Sequence, residues 1–207
     1  MKTVIFLALA VLGSISISFT GAEQKESGKK PGDQAPEFSL KSTGERNVSL
    51  SDFKGEKGVI LIFTCNHCPF SIAYEDRIIA LHRKYSSKGY PVVAINPNDA
   101  QAYPEDSFEN MKIRAKEKNF PFLYLHDESQ EIAKQYGAMR TPHVYLLKKK
   151  DDGFEVVYTG AIDDNTDNPA EVTKPYVENA VEDLLAGKKP QVNATKAIGC
   201  SVKWKKQ

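Results

Sequence analysis

Cysteine is scarce in this chain of 207 residues, with three in all. Cys65 and Cys68 share one motif and Cys200 stands near the end, so no framework of bridges staples distant segments together. Stability must come from a core. A second CxxC is missing, and His82, His126, His143 and Cys200 show no ligand spacing, which argues against a structural zinc site. An excess of either charge is also absent: 28 Lys and Arg against 27 Asp and Glu give no electrostatic reason to bind nucleic acid or an anionic membrane. Beyond the first 22 residues, no apolar run is long enough to span a bilayer.

Those first residues read as a secretory signal peptide over 1–22. Met1-Lys2 is a basic start, Thr3 to Phe19 is apolar, and Gly21-Ala22 supplies small residues for cleavage. No cysteine lies near that point for a lipid anchor, so the expected product is exported, periplasmic or secreted, with no membrane anchor after cleavage. Residues 23–34, rich in Lys, Glu, Gly and Ser, read as a flexible leader. One domain is expected over 35–190, followed by a tail over 191–207 that carries Cys200.

Within the domain, 35–40 and 47–50 read as a hairpin around Ser42-Thr43-Gly44. The run 57–64 is apolar throughout, as suits a strand covered on both faces. Tyr74, Ile78, Leu81 and Tyr85 make one stripe on a helix that starts at Pro69. Strands are expected at 91–95 and 122–125, with a charged helix over 106–119 between them. Asp127 and Gln130 have capping-box spacing before a short helix that stops at Gly137. Strands over 143–147 and 154–159 form a hairpin through Asp-Gly, and a last helix over 175–186 buries Val177, Ala180, Val181 and Leu184. Alternating strands and helices predict an α/β fold, a mainly parallel sheet with helices on both faces that is finished by an antiparallel pair.

The chemistry concentrates in Cys65-Asn66-His67-Cys68, placed between the buried strand and the helix. Unpaired N–H groups and the positive dipole end at a helix start favour a thiolate. Cys65, pointing outward, is the expected nucleophile and Cys68 the resolving thiol: attack on a substrate disulfide gives a mixed disulfide that Cys68 then breaks. A charge on His67 beside the Cys65 thiolate would favour the reduced form and an oxidising poise. Soft thiolates beside a histidine also suit Cu(I), which leaves a copper carrier as a non-enzyme alternative. Thr141-Pro142 opens a strand, where a proline is compatible with a cis or an ordinary trans bond. Arg140 reads either as a solvated loop residue or as a cation near the sulfur. Cys200 reads either as an idle thiol or as one that accepts the disulfide from the CxxC or links two chains.

Taken together, residues 32–40, the strand ending in Cys65-Asn66-His67-Cys68-Pro69-Phe70, Thr141-Pro142, residues 160–164 and the closing 199–204 resemble the redoxin group of thioredoxin-fold proteins, in particular a peroxiredoxin-like subgroup related to alkyl hydroperoxide reductase and thiol-specific antioxidant. The resemblance implies a central mixed sheet flanked by helices, with an N-terminal β-hairpin and an inserted helix and strand. It implies a cis Pro142 that faces the CxxC and keeps metals away, and a Thr141 backbone that pairs with bound substrate. The implied partners are protein or small-molecule thiols and disulfides and a redox partner protein, with no cofactor. Peroxiredoxins place Thr or Ser three residues before the peroxidatic cysteine and Pro four before that. Here Ile62 and Gly58 hold those positions, so thiol-disulfide exchange is the first expectation and a thiol-dependent peroxidase the alternative.

Overall fold

A computed structural model describes residues 28–206; the expected signal peptide and residues 23–27 of the expected leader lie outside the described residues. The strands are β1 (Ser39–Ser42), β2 (Asn47–Ser49), β3 (Gly58–Phe63), β4 (Val92–Asn96), β5 (Leu123–His126), β6 (Arg140–Thr141), β7 (His143–Lys150), β8 (Gly153–Gly160) and β9 (Cys200–Ser201), and the helices are α1 (Pro69–Tyr85), α2 (Phe108–Glu117), α3 (Glu131–Tyr136) and α4 (Tyr176–Leu185). Seven strands make one sheet in the order β2-β1-β5-β4-β3-β7-β8, and β6 and β9 pair separately. The centre, β3-β4-β5, is parallel. The flanking contacts β1-β5, β3-β7 and β7-β8 are antiparallel, so the sheet is mixed.

Burial explains the layout. All six residues of β3 and all five of β4 are buried, which is why those segments carry no alternation. Ile60 and Ile62 face α1 and α4, meeting the stripe Tyr74, Ile78, Leu81 and Tyr85 and the inner face of α4, Val177, Ala180 and Val181. Val59, Leu61 and Phe63 point the other way, toward α3 and Tyr145. Each such fully buried aliphatic side chain stabilises the fold by about 1.5–3 kcal/mol before entropy is counted.

Gly58, at the start of β3, shows how closely the layers approach. A Cβ there would collide with the Leu147 carbonyl oxygen and the Tyr90 ring. Gly58→Ala is expected to destabilise the protein by about 2 kcal/mol through overpacking, read as a lower urea midpoint at unchanged slope. An unchanged midpoint would mean that β7 shifts freely.

Two expectations are corrected, and the tail is found held. Residues 28–34 are not a loose leader: the amides of Lys29, Gly32 and Ala35 donate to the carbonyls of Tyr136, Val156 and Phe154 at 2.8–2.9 Å, making a strap along β8. Backbone pairing needs no apolar pattern, so a polar composition did not reveal it. Gln130 does not close a capping box. It stands in the left-handed region, and its side-chain amide donates to the carbonyls of Pro97 and Lys203, while Asp127 accepts from the Ala133 amide. The tail is likewise tied down. Thr195 and Asn193 bond to Thr159, Val202 bonds to Met139, and Lys203 bonds to Asp99. Among the described residues no helix is long and apolar enough to cross a membrane.

Candidate active site

Pro69 decides the geometry of the CxxC. Proline suits the first helical position and disfavours a helical residue before it, so Cys68 is extended (φ −69°, ψ 124°) and forms the N-cap of α1. The helix begins after the motif, not within it. Cys68, rather than Cys65 as expected, therefore receives the helix terminus. Its sulfur takes the Cys65 thiol proton and the amides of Ser71 and Cys200 as donors, and these hold the Cys68 thiol well below the usual range. Burial opposes this, as does the Thr141 carbonyl oxygen, which lies 3.3 Å away and accepts from the protonated form.

Cys65 is 3% exposed. The Cys68 sulfur, burial and the nearby Asp106 carboxylate all push its thiol up. Thr141 Oγ1 at 3.3 Å and Ser71 Oγ at 3.7 Å are its hydroxyl neighbours. Both directions favour the negative charge on Cys68 over Cys65.

Sequence reasoning missed Asp106. This carboxylate is fully buried just before α2, and both oxygens are doubly engaged. Oδ1 accepts from the Asn66 amide at 2.7 Å and from Asn96 Nδ2 at 3.3 Å. Oδ2 accepts from Asn98 Nδ2 at 2.8 Å and from His67 Nδ1. The His67 ring also stacks on Tyr103, with centroids 5.0 Å apart. His67 is therefore paired with a buried carboxylate, so a charge on it is matched by Asp106 instead of acting alone on Cys65. Tyr124, which donates to Asn66 Oδ1 at 2.9 Å, completes the support of the loop. The polar run Asn96-Pro97-Asn98-Asp99 after a buried strand was the available signal; it reads as a turn, yet Asn96, Asn98 and Asp99 are buried.

Ligand atoms of Cys65, His67 and Asp106 lie within 4.8 Å of one another. An ion there would have to displace donors from a carboxylate whose lone pairs are already used, so the cluster fits hydrogen bonding better than ligation.

The Thr141–Pro142 bond is cis, and Thr141 meets both CxxC sulfurs. Its backbone edge is not open: β6 pairs with β9, Thr141 opposite Cys200 and Arg140 opposite Ser201. Arg140 is exposed and its guanidinium donates to the Gly199 carbonyl at 2.8 Å, so it braces the tail. Cys200 is partly exposed and stands opposite Thr141, whose carbonyl oxygen lies 3.3 Å from Cys68 Sγ; burial and then the nearby Cys68 push its thiol up to about 11.

The AhpC/TSA family model matches residues 31–158. The chain belongs to the AhpC/TSA family. This AhpC/TSA chain is 33% identical over 127 residues to the thioredoxin-like protein YneN of Bacillus subtilis, covering 61% of this chain and 71% of that one. It is 29% identical over 126 residues to chloroplastic peroxiredoxin Q of Triticum aestivum, covering 58% of this chain and 54% of the relative, so it spans about half the length of that curated protein. The crystal structure of an uncharacterised conserved protein from Geobacillus kaustophilus is similar, with 41% identity and a TM-score of 0.79 over 86% of this chain and 93% of that one. The fold is thioredoxin-like, and the family is one of thiol redox enzymes.

Proposed function

We propose that this AhpC/TSA-family protein is an exported thiol-disulfide oxidoreductase whose Cys65/Cys68 couple passes between dithiol and disulfide, acting on protein or small-molecule thiols and disulfides. The observation that carries this reading is the sulfur pair itself. Cys65 and Cys68, three residues apart in one loop with Cys68 capping α1, both lie 3.3 Å from Thr141 atoms, through its Oγ1 and its carbonyl oxygen, and form a two-electron couple. In thiol-disulfide exchange, attack on a bound disulfide passes the substrate sulfur out as a thiolate, and the second cysteine of the pair releases the product. Export is supported by the basic start, apolar stretch and small residues over 1–22.

A second reading, a thiol-dependent peroxidase on the same cysteines, is favoured by the likeness to peroxiredoxin Q and by the two hydroxyls beside Cys65. Equilibration in graded glutathione buffers, followed by alkylation and peptide mass analysis, tests the first reading. The expected result is loss of two thiols in one step with Cys65 linked to Cys68. No disulfide at any ratio, with one Cu(I) retained instead, would overturn it. Saturable hydroperoxide consumption that requires Cys65 and outpaces dithiol oxidation would replace it with the peroxidase.

A further inference from the structure

The strand that pairs with Thr141 belongs to the chain itself. Thr141 presents the backbone edge that, on the family resemblance, should receive a substrate strand, and β9 already lies antiparallel on it with Cys200 opposite Thr141. The seating is close. A Cβ on Gly199 would collide with the Thr141 carbonyl oxygen, and the strand is held from both ends. On one side Arg140 donates to the Gly199 carbonyl. On the other, the Lys203 amide donates to Asn98 Oδ1 at 2.9 Å, and Asn98 in turn donates to Asp106. Cys68 is fully buried and Cys65 nearly so, whereas Cys200 is partly exposed and stands opposite Thr141, whose carbonyl oxygen lies 3.3 Å from Cys68 Sγ.

We propose that β9 is a built-in substrate strand and that Cys200 is the relay thiol through which the buried Cys65/Cys68 couple exchanges with external dithiols. The proposal rests on the oxidoreductase reading above. In the oxidised protein, the Cys200 thiolate attacks the Cys68 sulfur; the Cys68–Cys200 bond forms, the Cys65–Cys68 bond breaks, and Cys65 leaves and takes a proton. An external dithiol then attacks the exposed Cys200 sulfur, expelling Cys68 as a thiolate stabilised at the α1 N-cap, a good leaving group. The second thiol of the substrate attacks its own sulfur in the mixed disulfide and releases Cys200. One substrate dithiol becomes a disulfide and the protein gains two electrons. With Cys68 in a disulfide, its charge no longer adds to the burial that disfavours ionisation of Cys200.

The test uses the full-length protein. In Cys65→Ser, mild oxidation with diamide followed by acid trapping and peptide mapping is expected to give an intramolecular Cys68–Cys200 disulfide. In Cys200→Ser, the Cys65–Cys68 disulfide still forms, but its reduction by dithiothreitol slows by about tenfold or more. Gly199→Ala added to Cys65→Ser, which unseats β9 and keeps Cys68 and Cys200, is expected to prevent the Cys68–Cys200 bond. Wild-type reduction rates in Cys200→Ser, or covalent dimers through Cys200 in place of the internal bond, would overturn the relay while leaving the oxidoreductase intact. Failure of Cys65–Cys68 to form in Cys200→Ser would overturn the oxidoreductase reading itself.

Discussion

Cys68→Ser is expected to lower dithiol-disulfide exchange about a thousandfold or more and to remove the ultraviolet thiolate absorbance expected of the reduced wild-type protein at about pH 6. Cys65→Ser is expected to keep that absorbance. The reasoning is local. Cys68 caps α1, and the Ser71 and Cys200 amides point at its sulfur; in Cys65→Ser a hydroxyl still donates to it. Cys65 meets the opposite environment, because burial and the Asp106 carboxylate both disfavour charge there. Absorbance that survives in Cys68→Ser and vanishes in Cys65→Ser would reverse the assignment. Stability carries the same signature. The folded Cys68 value lies below the ordinary thiol value of about 8.5, so its contribution to the reduced protein is complete above that pH and disappears as pH falls through the folded value.

Acid lability is the second large effect, and it centres on His143. This residue opens β7 next to the cis proline. Its Nε2 lies 3.0 Å from Thr159 Oγ1, while Nδ1 is sealed from solvent with no partner among the described residues. Burial pushes its pKa down to about 4, so the folded protein holds it neutral while the unfolded chain protonates near about 6.5. The stabilising contribution is therefore whole above about pH 6.5 and is lost as pH falls toward 4. The gap amounts to at most about 3 kcal/mol, less in practice because the ring edge reaches the surface. His82 and His126, also lowered by burial, add in the same direction. His143→Gln is expected to flatten the fall in urea midpoint between pH 7 and pH 4.5. An equally steep fall in the variant would assign the lability to other groups.

How much of this was legible differs by interaction type. β3 and α1 could be read because a doubly buried strand and a helical stripe are patterns of apolar residues, and both packed as their patterns required. The mixed sheet was less accessible: that β1 lies against β5, and that 29–35 straps β8, depends on backbone pairing between segments far apart in sequence. At the site, the CxxC, Pro142 and Cys200 announced themselves by residue type. The order of the two sulfurs did not follow, although Pro69 carried the information: a proline after the second cysteine moves the helix start past it. Asp106 was illegible for another reason. An acidic residue before a helix is an ordinary solvated cap, and only the fold shows that it faces Asn66, His67 and Asn98.

Asp106 has a mechanical consequence. By gripping the Asn66 amide and the His67 ring from beneath, and through Asn98 the amide of Lys203 just past β9, it ties the loop between β3 and α1 to the C-terminal strand at several points. A loop so tied cannot absorb the change in sulfur spacing when a bond is made or broken there. The compliance has to come from the lighter side of the joint, the two-residue ladder between β6 and β9. A change in the oxidation state of the dithiol is therefore expected to be felt at the C-terminal strand, as altered amide exchange at Cys200 and Ser201.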